Sequence, residues 1–344
     1  MNIYIRFISF FISDSRMETV TNLIFVLLLG TCVAAPTQDK IPDWFSIKYS
    51  GQHDIVKIIV PLSSIHFDKP ETISNKEVPI FFVEADVDKK GNPVYKGLYS
   101  LKKGKAKKVL ENGRDAAASA DARKQIFFGA SDGIYIYNQK TDSAEKYGSV
   151  DDSIMGIAKV KSGDIIYILS DDHVVYKISE NGNKKEKLED IVNAKQIVLD
   201  FADNLYFISE DKVPHVRSAE GVKIIKGLPA NPSHVELVRP PYNLLNGVVF
   251  VCDTDAYMLF ANGTSERIIH KMKFLVKPSA YAPDGTYVQY YAVDKKIYEY
   301  NAIKWIIKGV QAGLDNFLNA KPENIHTGAA DAQAIFGINR LIVN

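Results

Sequence analysis

Five acidic residues recur along the chain at nearly constant intervals, each in a short link between two runs rich in aromatic and β-branched residues. The spacings are 39, 39, 43 and 41 residues, and the acids are Asp132, Asp171, Glu210, Asp253 and Asp294. Carboxylate oxygens from several such links could surround a hard cation such as Ca²⁺. Aspartate is also favoured in tight turns, because its side chain hydrogen-bonds to nearby backbone, and a repeating chain repeats its turns. We expect these acids to stabilise turns, and we predict no metal site.

A second set of residues has the chemistry to bind a flat organic molecule, which needs aromatic walls and a few placed polar groups. The candidates are Arg239, Tyr281, Phe201, His234, Tyr242 and Tyr287. Arg239 is the sharpest of them, because a guanidinium can stack on an aromatic ring and also bind a carboxylate or sulfate. The alternative is that Arg239 is a solvated residue at the end of a strand.

The motifs of nucleophilic and zinc enzymes are absent from the sequence. It contains no G-x-S-x-G and no H-E-x-x-H, and none of its seven histidines forms a pair at metal-ligand spacing. We therefore predict no catalytic residues.

Six short apolar and aromatic runs divide the chain into similar units. They begin at Ile80, Ile126, Ile165, Leu205, Val248 and Tyr287, separated by 46, 39, 40, 43 and 39 residues. Each is followed by a turn-forming link and a second alternating run, which is the pattern of a β-hairpin. Further runs precede and follow the hairpins, such as DIVKIIV from Asp54. Four antiparallel strands per unit, repeated six times, predict an all-β, six-bladed β-propeller.

The run that precedes each hairpin is predicted to be the innermost strand, which lines the central channel. In this fold we expect ligands at the end of the channel formed by the links into the innermost strands and by the loops of the central hairpins. A calcium-dependent site would also need an asparagine and an acid that project from those strands. Asn193 and Asp200 are the nearest candidates for such a pair.

The two ends of the repeat region predict how the ring closes. The last unit ends at KIYEYN without an outer strand, whereas residues 43–50 form a strand-like run before the first unit. We expect this N-terminal strand to complete the last blade, because closure removes a free sheet edge. Residues 302–344 lie outside the repeat, and helical spacing of apolar residues from Ile303 to Leu318 predicts a short C-terminal helix.

Residues 1–34 have the features of a secretion signal. An apolar run from Leu23 to Leu29 is followed by small residues, with cleavage expected after Ala34. Met17 opens a signal of conventional length, so residues 1–16 are interpreted as an upstream-start artefact, with a long signal as the alternative. The propeller would then occupy residues 35–301 of a secreted, extracellular protein. No other stretch is long and apolar enough to span a bilayer, so we expect no membrane association.

Secretion determines how the cysteines and one sequon are interpreted. Cys32 leaves with the signal, so Cys252 remains alone and is expected to be a buried thiol. Asn262-Gly263-Thr264 is a usable glycosylation sequon in this compartment. The chain has 42 Lys and Arg against 41 Asp and Glu, and this balance provides no polyanion-binding surface. We expect a monomer that does not bind nucleic acid.

The repeat units resemble a known family. Segments such as DGIYIYN, GDIIYILSDDHVVYKIS, DNLYFISEDKVPHVRS and DGTYVQYYAVDKKIYEYN resemble those of the lepidopteran ommochrome-binding proteins. The resemblance extends from about Asp43 to Asn301. It implies a secreted, glycosylated, non-enzymatic glycoprotein that transports an ommatin-type phenoxazinone pigment in haemolymph, with no bound cofactor besides that ligand. It provides no motif for the residues that contact the pigment.

Three hypotheses for function follow. The first is a carrier that stacks a planar pigment on aromatic side chains and pairs its acidic groups with Arg or Lys; the recurring hairpin acids count against it, because a rim of carboxylates repels an anion. The second is a calcium-dependent lactonase or esterase of regucalcin-like architecture, which would use those acids. The third is a propeller that binds another protein. The first is the function that we expect.

Overall fold

Alternation of buried and exposed side chains along short β-rich runs defines the strands. The computed structural model describes residues 45–60, 80–89, 93–119, 121, 125–239, 247–269, 278–284 and 288–301, together with Lys304 and Gln311. The strands form six antiparallel sheets of four strands each, arranged as the blades of a ring. The six-bladed propeller predicted from the repeat is confirmed.

The first three blades follow one another directly along the chain, and in each the chain runs from the innermost to the outermost strand. Blade 1 comprises β2 (Asp54–Ile59), β3 (Ile80–Val87), β4 (Pro93–Lys102) and β5 (Lys105–Leu110). Blade 2 comprises β6 (Gly113–Ala118), β7 (Ile126–Ala130), β8 (Gly133–Asn138) and β9 (Ser143–Lys146). Blade 3 comprises β10 (Ile154–Lys159), β11 (Ile166–Ser170), β12 (Val175–Ser179) and β13 (Lys184–Lys187).

The last blade takes its outer strand from the other end of the chain. Blade 4 comprises β14 (Gln196–Leu199), β15 (Leu205–Ile208), β16 (Pro214–Ser218) and β17 (Gly221–Ile224). Blade 5 comprises β18 (Val235–Val238), β19 (Val248–Cys252), β20 (Asp255–Leu259) and β21 (Ser265–Ile269). Blade 6 comprises β22 (Ala280–Asp284), β23 (Val288–Val293), β24 (Lys296–Asn301) and β1 (Phe45–Ser50). β1 pairs antiparallel with β24, so the predicted closure is confirmed.

The innermost strands of all six blades run in the same direction, because each blade is followed from its inner to its outer strand. We call the face at which they begin the start face and the opposite one the end face. The loop of each central hairpin lies at the start face. The loop that follows each innermost strand lies at the end face.

Hydrophobic side chains pack between neighbouring blades. The described residues form six buried clusters, one at each junction between adjacent blades. In β3, Phe81 packs towards blade 2 with its ring centroid 5.1 Å from that of Phe128. The next residue, Phe82, packs towards blade 6 with its ring centroid 4.6 Å from that of Tyr49. Each buried aromatic ring contributes about 1.5–3 kcal/mol, so the alternation of side chains along the strand holds both junctions.

The chain also divides into a second unit, Asn301–Asn344. In it, Lys304 and Gln311 are helical, and the backbone nitrogen of Lys304 donates a hydrogen bond to Asn301 Oδ1 at 3.1 Å. The remainder of the helix predicted in residues 302–344 lies outside the described residues, as do residues 1–44.

Candidate functional site

A cavity of about 260 Å³ lies in the central channel. All six innermost strands contribute to its wall, and so do residues of the loops that follow them, among them Asp121, Lys161 and Asp203. None of the described hairpin-loop residues at the start face lines the cavity. The wall also includes Lys195 and Ser279, which lie in the start-face links that lead into β14 and β22. The cavity therefore extends along the channel to the end face, and its wall consists mainly of the innermost strands. The expectation that ligands bind at the start face stays a prediction.

Arg239 lies directly after β18 of blade 5 and reaches across the channel. Its Nη1 donates a hydrogen bond to the carbonyl oxygen of Ala116 in blade 2 at 2.8 Å. Its Nη2 donates to the carbonyl oxygen of Ile157 in blade 3 at 3.3 Å. These two bonds use two of the five N–H groups of the guanidinium. Arg239 also lines the cavity.

Burial controls the electrostatics of Arg239. Loss of solvent lowers the pKa of its guanidinium from the ordinary value, and the nearby carboxylate of Asp115 opposes that shift. Arginine remains charged because its ordinary pKa is so high. The channel thus holds a cation whose hydrogen-bond partners among the described residues are two neutral carbonyl groups. The alternative interpretation, a solvated residue at the end of an ordinary strand, was wrong.

Asp115 joins three innermost strands around this cation. Its Oδ1 accepts the backbone nitrogen of Ala116 at 2.8 Å and pairs with Lys57 Nζ of blade 1 at 3.0 Å. Its Oδ2 accepts the backbone nitrogen of Ile157 in blade 3 at 3.0 Å. Asp115 is 4% exposed, so its charge is satisfied by protein groups. These contacts of Asp115 therefore fix the positions of β6 and β10, the two strands whose carbonyl groups accept hydrogen bonds from Arg239.

Side-chain bonds also join other innermost strands across blade junctions. Gln196 of blade 4 donates to the carbonyl oxygen of Leu237 in blade 5 at 2.7 Å and accepts the Leu237 backbone nitrogen at 2.8 Å. Ser279, directly before β22, donates to the carbonyl oxygen of Ile55 in blade 1 at 2.8 Å. These bonds keep the wall of the cavity in a defined shape.

Two of the predicted aromatic residues line the cavity. Tyr281 is on β22 and lies against Tyr291, with ring centroids 5.2 Å apart. Phe201 follows β14 at the end face. Together with Arg239, the structure therefore brings three of the six predicted binding residues to one cavity. Tyr242 and Tyr287 lie outside the described residues.

His234 lies apart from the other predicted binding residues. It precedes β18 at the start face and does not line the cavity. Its backbone nitrogen donates to Asp253 Oδ1 at 2.9 Å, and its Nε2 lies 3.9 Å from Glu236 Oε2. His234 contributes to a hairpin contact instead of the pocket.

Four of the recurring hairpin acids bond to the link that leads into the innermost strand of the same blade. Asp132 accepts Asn112 Nδ2 at 2.6 Å, and Asp171 accepts Ser153 Oγ at 2.6 Å. Glu210 accepts Asn193 Nδ2 at 3.4 Å. Asp253 accepts the backbone nitrogen of Ser233 at 2.9 Å. These acids therefore hydrogen-bond each hairpin loop to the neighbouring link at the start face, which agrees with the structural role expected for them.

The hydrogen bonds of the start-face loops also change the pKa of Asp253. Hydrogen bonds from the Ser233 side chain and the His234 backbone lower its pKa below the ordinary range. Asp253 also has a positive φ of 53°, and aspartate is one of the few residues that tolerate this conformation. The turn itself therefore accounts for an acid at this position.

No group of three or more His, Cys, Asp or Glu side chains in the described part is arranged to hold a metal ion. Asp200 lines the cavity, but its oxygens accept the backbone nitrogens of Ala202 and Asn204, each at 2.9 Å. They also accept Asn204 Nδ2 at 2.9 Å and the Tyr206 hydroxyl at 3.3 Å. Asp200 closes a turn, while Asn193 is bonded to Glu210 at the start face.

Sequence reasoning missed most of the polar residues that line the cavity, among them Lys57, Asp115 and Glu236. A signal for them was present, because all three lie in runs interpreted as innermost strands, and polar residues there must face either the channel or a blade junction. The strands of blades 1 to 3 have register shifts next to Val56, Arg114 and Met155, which break simple alternation.

Two further predictions concern single residues. Cys252 is buried in β19, as expected, and burial raises the pKa of its thiol. Asn262 is exposed in the turn between β20 and β21, and its Oδ1 accepts the Thr264 hydroxyl at 2.7 Å. The sequon is therefore accessible, while its glycosylation stays a prediction. No helix in the described part has the length and apolar character needed to cross a bilayer.

Comparison with known proteins adds little beyond the architecture. No family model matches the chain, and no curated protein matches it. One solved structure, of a protein named for an inferred gluconolactonase activity, has a TM-score of 0.47 and 11% identity over 75% of this chain and 91% of that chain. Another, of U3-55K, has a TM-score of 0.47 and 12% identity over 72% of this chain and 76% of that chain. Similarity this low does not bear on function.

Proposed function

We propose that this protein is a secreted carrier that binds a small aromatic organic acid in its channel cavity. The observation that carries the proposal is Arg239, a half-buried cation that lines the cavity and whose two described hydrogen bonds both go to carbonyl groups. A carboxylate that enters the cavity can accept further N–H donors of this guanidinium in the paired geometry that it favours. The resemblance of the repeat units to ommochrome-binding proteins makes an ommatin-type phenoxazinone the candidate ligand.

The size and walls of the cavity support a ring system as the occupant. Its volume of about 260 Å³ lies slightly below the roughly 300–1,000 Å³ typical of small-molecule pockets, so it would hold only a compact ligand. Tyr281 and Phe201 provide aromatic surface beside Arg239. A compact ring system would occupy the cavity, with its substituents directed to the end face.

The hairpin acids, which argued against an anionic ligand at the level of sequence, no longer do so. They lie at the start face and are engaged in loop contacts, as Asp171 is with Ser153 and Arg114. The cavity extends towards the opposite face. A carboxylate ligand at Arg239 therefore does not have to pass a rim formed by these acids.

Direct binding tests the proposal. We expect the purified protein to bind xanthommatin stoichiometrically in equilibrium dialysis, with a shift of its visible absorption band. Arg239→Gln should weaken binding by about 30-fold or more, since truncating one partner of a buried charge pair costs about 2–5 kcal/mol. Arg239→Lys, which keeps the charge and loses the fork, should lie between the two.

The matched control is Arg267→Gln on the outer strand of the same blade, where the arginine is 53% exposed and only 3.7 Å from Asp255. This variant should bind like wild type. Since Arg239→Gln removes two channel hydrogen bonds, a thermal melt and a circular dichroism spectrum must show that it is folded. A folded Arg239→Gln variant with unchanged affinity, or a wild-type protein that takes up no pigment, would refute the proposal. Chelator-sensitive hydrolysis of lactones would instead support the lactonase hypothesis.

A further inference from the structure

The side chains around the cavity are balanced in charge. Five lysine and arginine residues line it, and so do five acids: Asp115, Asp121, Asp200, Asp203 and Glu236. A cavity that served only an anion would be expected to have an excess of cations, because like charges at short range repel the ligand. The balance calls for an explanation of what the acids do.

Internal contacts account for three of these acids, and a fourth, Asp121, also interacts with other groups of the protein. Asp115 joins the strands of blades 1 to 3 through Lys57 and the backbone nitrogen of Ile157. Asp200 closes the turn after β14. Asp203 accepts the backbone nitrogen of Lys161 at 2.7 Å. Their oxygens are used to hold strands and loops in place.

Glu236 is different from those three. It is on the innermost strand β18, its side chain is 43% exposed, and its ion pair with His234 Nε2 spans 3.9 Å, which is beyond hydrogen-bond distance. It lines the same cavity as Arg239, three residues further along the chain. At the rise of a β-strand, their Cα atoms are about 10 Å apart. One strand thus presents a carboxylate and a guanidinium to one cavity.

We propose that the ligand is zwitterionic, with a carboxylate bound by Arg239 and a protonated amine bound by Glu236. The inference rests on the proposed function and makes it more specific: the carrier selects aromatic acids that keep a free amino group. A ligand with a carboxylate alone would be repelled by Glu236, whereas an ammonium group turns that repulsion into attraction and contributes hydrogen bonds of the charge-assisted kind. Glu236 is thereby a specificity-determining residue.

The experiment compares two probes that differ in one charge. Xanthommatin carries an amino-acid group, and its N-acetyl derivative keeps the carboxylates and loses the protonated amine. In equilibrium dialysis we expect wild-type protein to bind xanthommatin about tenfold more tightly than the derivative, which corresponds to ~1.4 kcal/mol. Glu236→Gln should remove this preference by weakening xanthommatin alone. Glu236→Asp, which keeps the charge, should restore part of it.

Glu266→Gln is the matched control, because Glu266 is exposed on the outer strand β21 of the same blade. It should leave both affinities unchanged. The zwitterion inference would be overturned if wild-type protein bound the two probes equally tightly, or if Glu236→Gln weakened the binding of both equally. The carrier proposal would then still stand, provided that the Arg239 variants lose binding. Failure of wild-type protein to bind either probe would overturn the carrier proposal and this inference with it.

Discussion

Asp115 offers a sharp test of how the channel is held together. Replacing it with asparagine changes almost no volume but removes the negative charge. The amide oxygen can still accept the backbone nitrogen of Ala116, while the amide nitrogen then faces the backbone nitrogen of Ile157, and two donors oppose each other. The variant therefore loses the bond from Ile157 and the ion pair with Lys57.

The expected loss of stability follows from these contacts. A hydrogen bond to a charged group contributes about 1.5–3 kcal/mol, and breaking a buried pair costs about 3–5 kcal/mol at the upper limit. Since Lys57 is 37% exposed and recovers water, we expect Asp115→Asn to lower the free energy of unfolding by about 2–4 kcal/mol. The melting temperature should fall by roughly 5–15 °C for a domain of this size.

Urea unfolding and a thermal melt provide the assay, with Asp190→Asn as the control for the same chemical change. Asp190 is 42% exposed and pairs with Arg217 at 2.7 Å near the surface, so that variant should change stability by less than ~1 kcal/mol. If Asp115→Asn were as stable as Asp190→Asn, with an unchanged dependence of the unfolding free energy on urea, the contacts of Asp115 would not stabilise the channel as proposed.

Three further predictions concern the glycines in turns, the stability at low pH and the buried thiol. Gly133 has a φ of +123°, and a Cβ there would overlap the carbonyl oxygen of Val150, so Gly133→Ala should lower the free energy of unfolding by clearly more than the ~1–2 kcal/mol of backbone strain alone. Gly163→Ala is the control, because Gly163 has a φ of +84° with open space around it and should show the strain alone. Equal losses for the two variants in urea unfolding would contradict the steric argument. Hydrogen bonds to the Asp253 carboxylate lower its pKa in the folded protein, so the stability that this carboxylate contributes is present at neutral pH and is lost as the pH falls through that lowered pKa. The melting temperature should be constant from about pH 7 to 5 and fall below about pH 4, and the fall should be less steep in Asp253→Asn. Burial raises the pKa of the Cys252 thiol, so a thiol reagent should label the unfolded protein and leave the native one unreacted over minutes; rapid native labelling would show that β19 opens.

The fold was predictable because each unit repeats the same local signals. Runs such as those from Ile126 and Val248 alternate with period two, and Asp or Gly marks each turn, so the strand pattern occurs six times over. Even the closure of blade 6 by β1 follows from counting, since one unit lacked an outer strand and one strand lacked a blade.

The site was less predictable, because it depends on distances across the ring. Residue type alone marked Arg239, but no local pattern shows that its side chain reaches Ala116 and Ile157 in blades 2 and 3. The register shift next to Arg114 changes which side chains of β6 face the channel, so period-two alternation does not identify Asp115 as a channel residue.

Closure of blade 6 by β1 also relates the order of synthesis to the order of assembly. Among the strands that the structure describes, the one made first pairs with the one made last, as Ile47 does with Tyr298. The ring cannot close until β24 has been synthesised, whereas blades 1 to 5 already contain all of their strands by then. Until then β1 and β24 each present an unpaired edge, so we infer that the nascent protein is most exposed to mispairing with a second chain in the interval before its two ends meet.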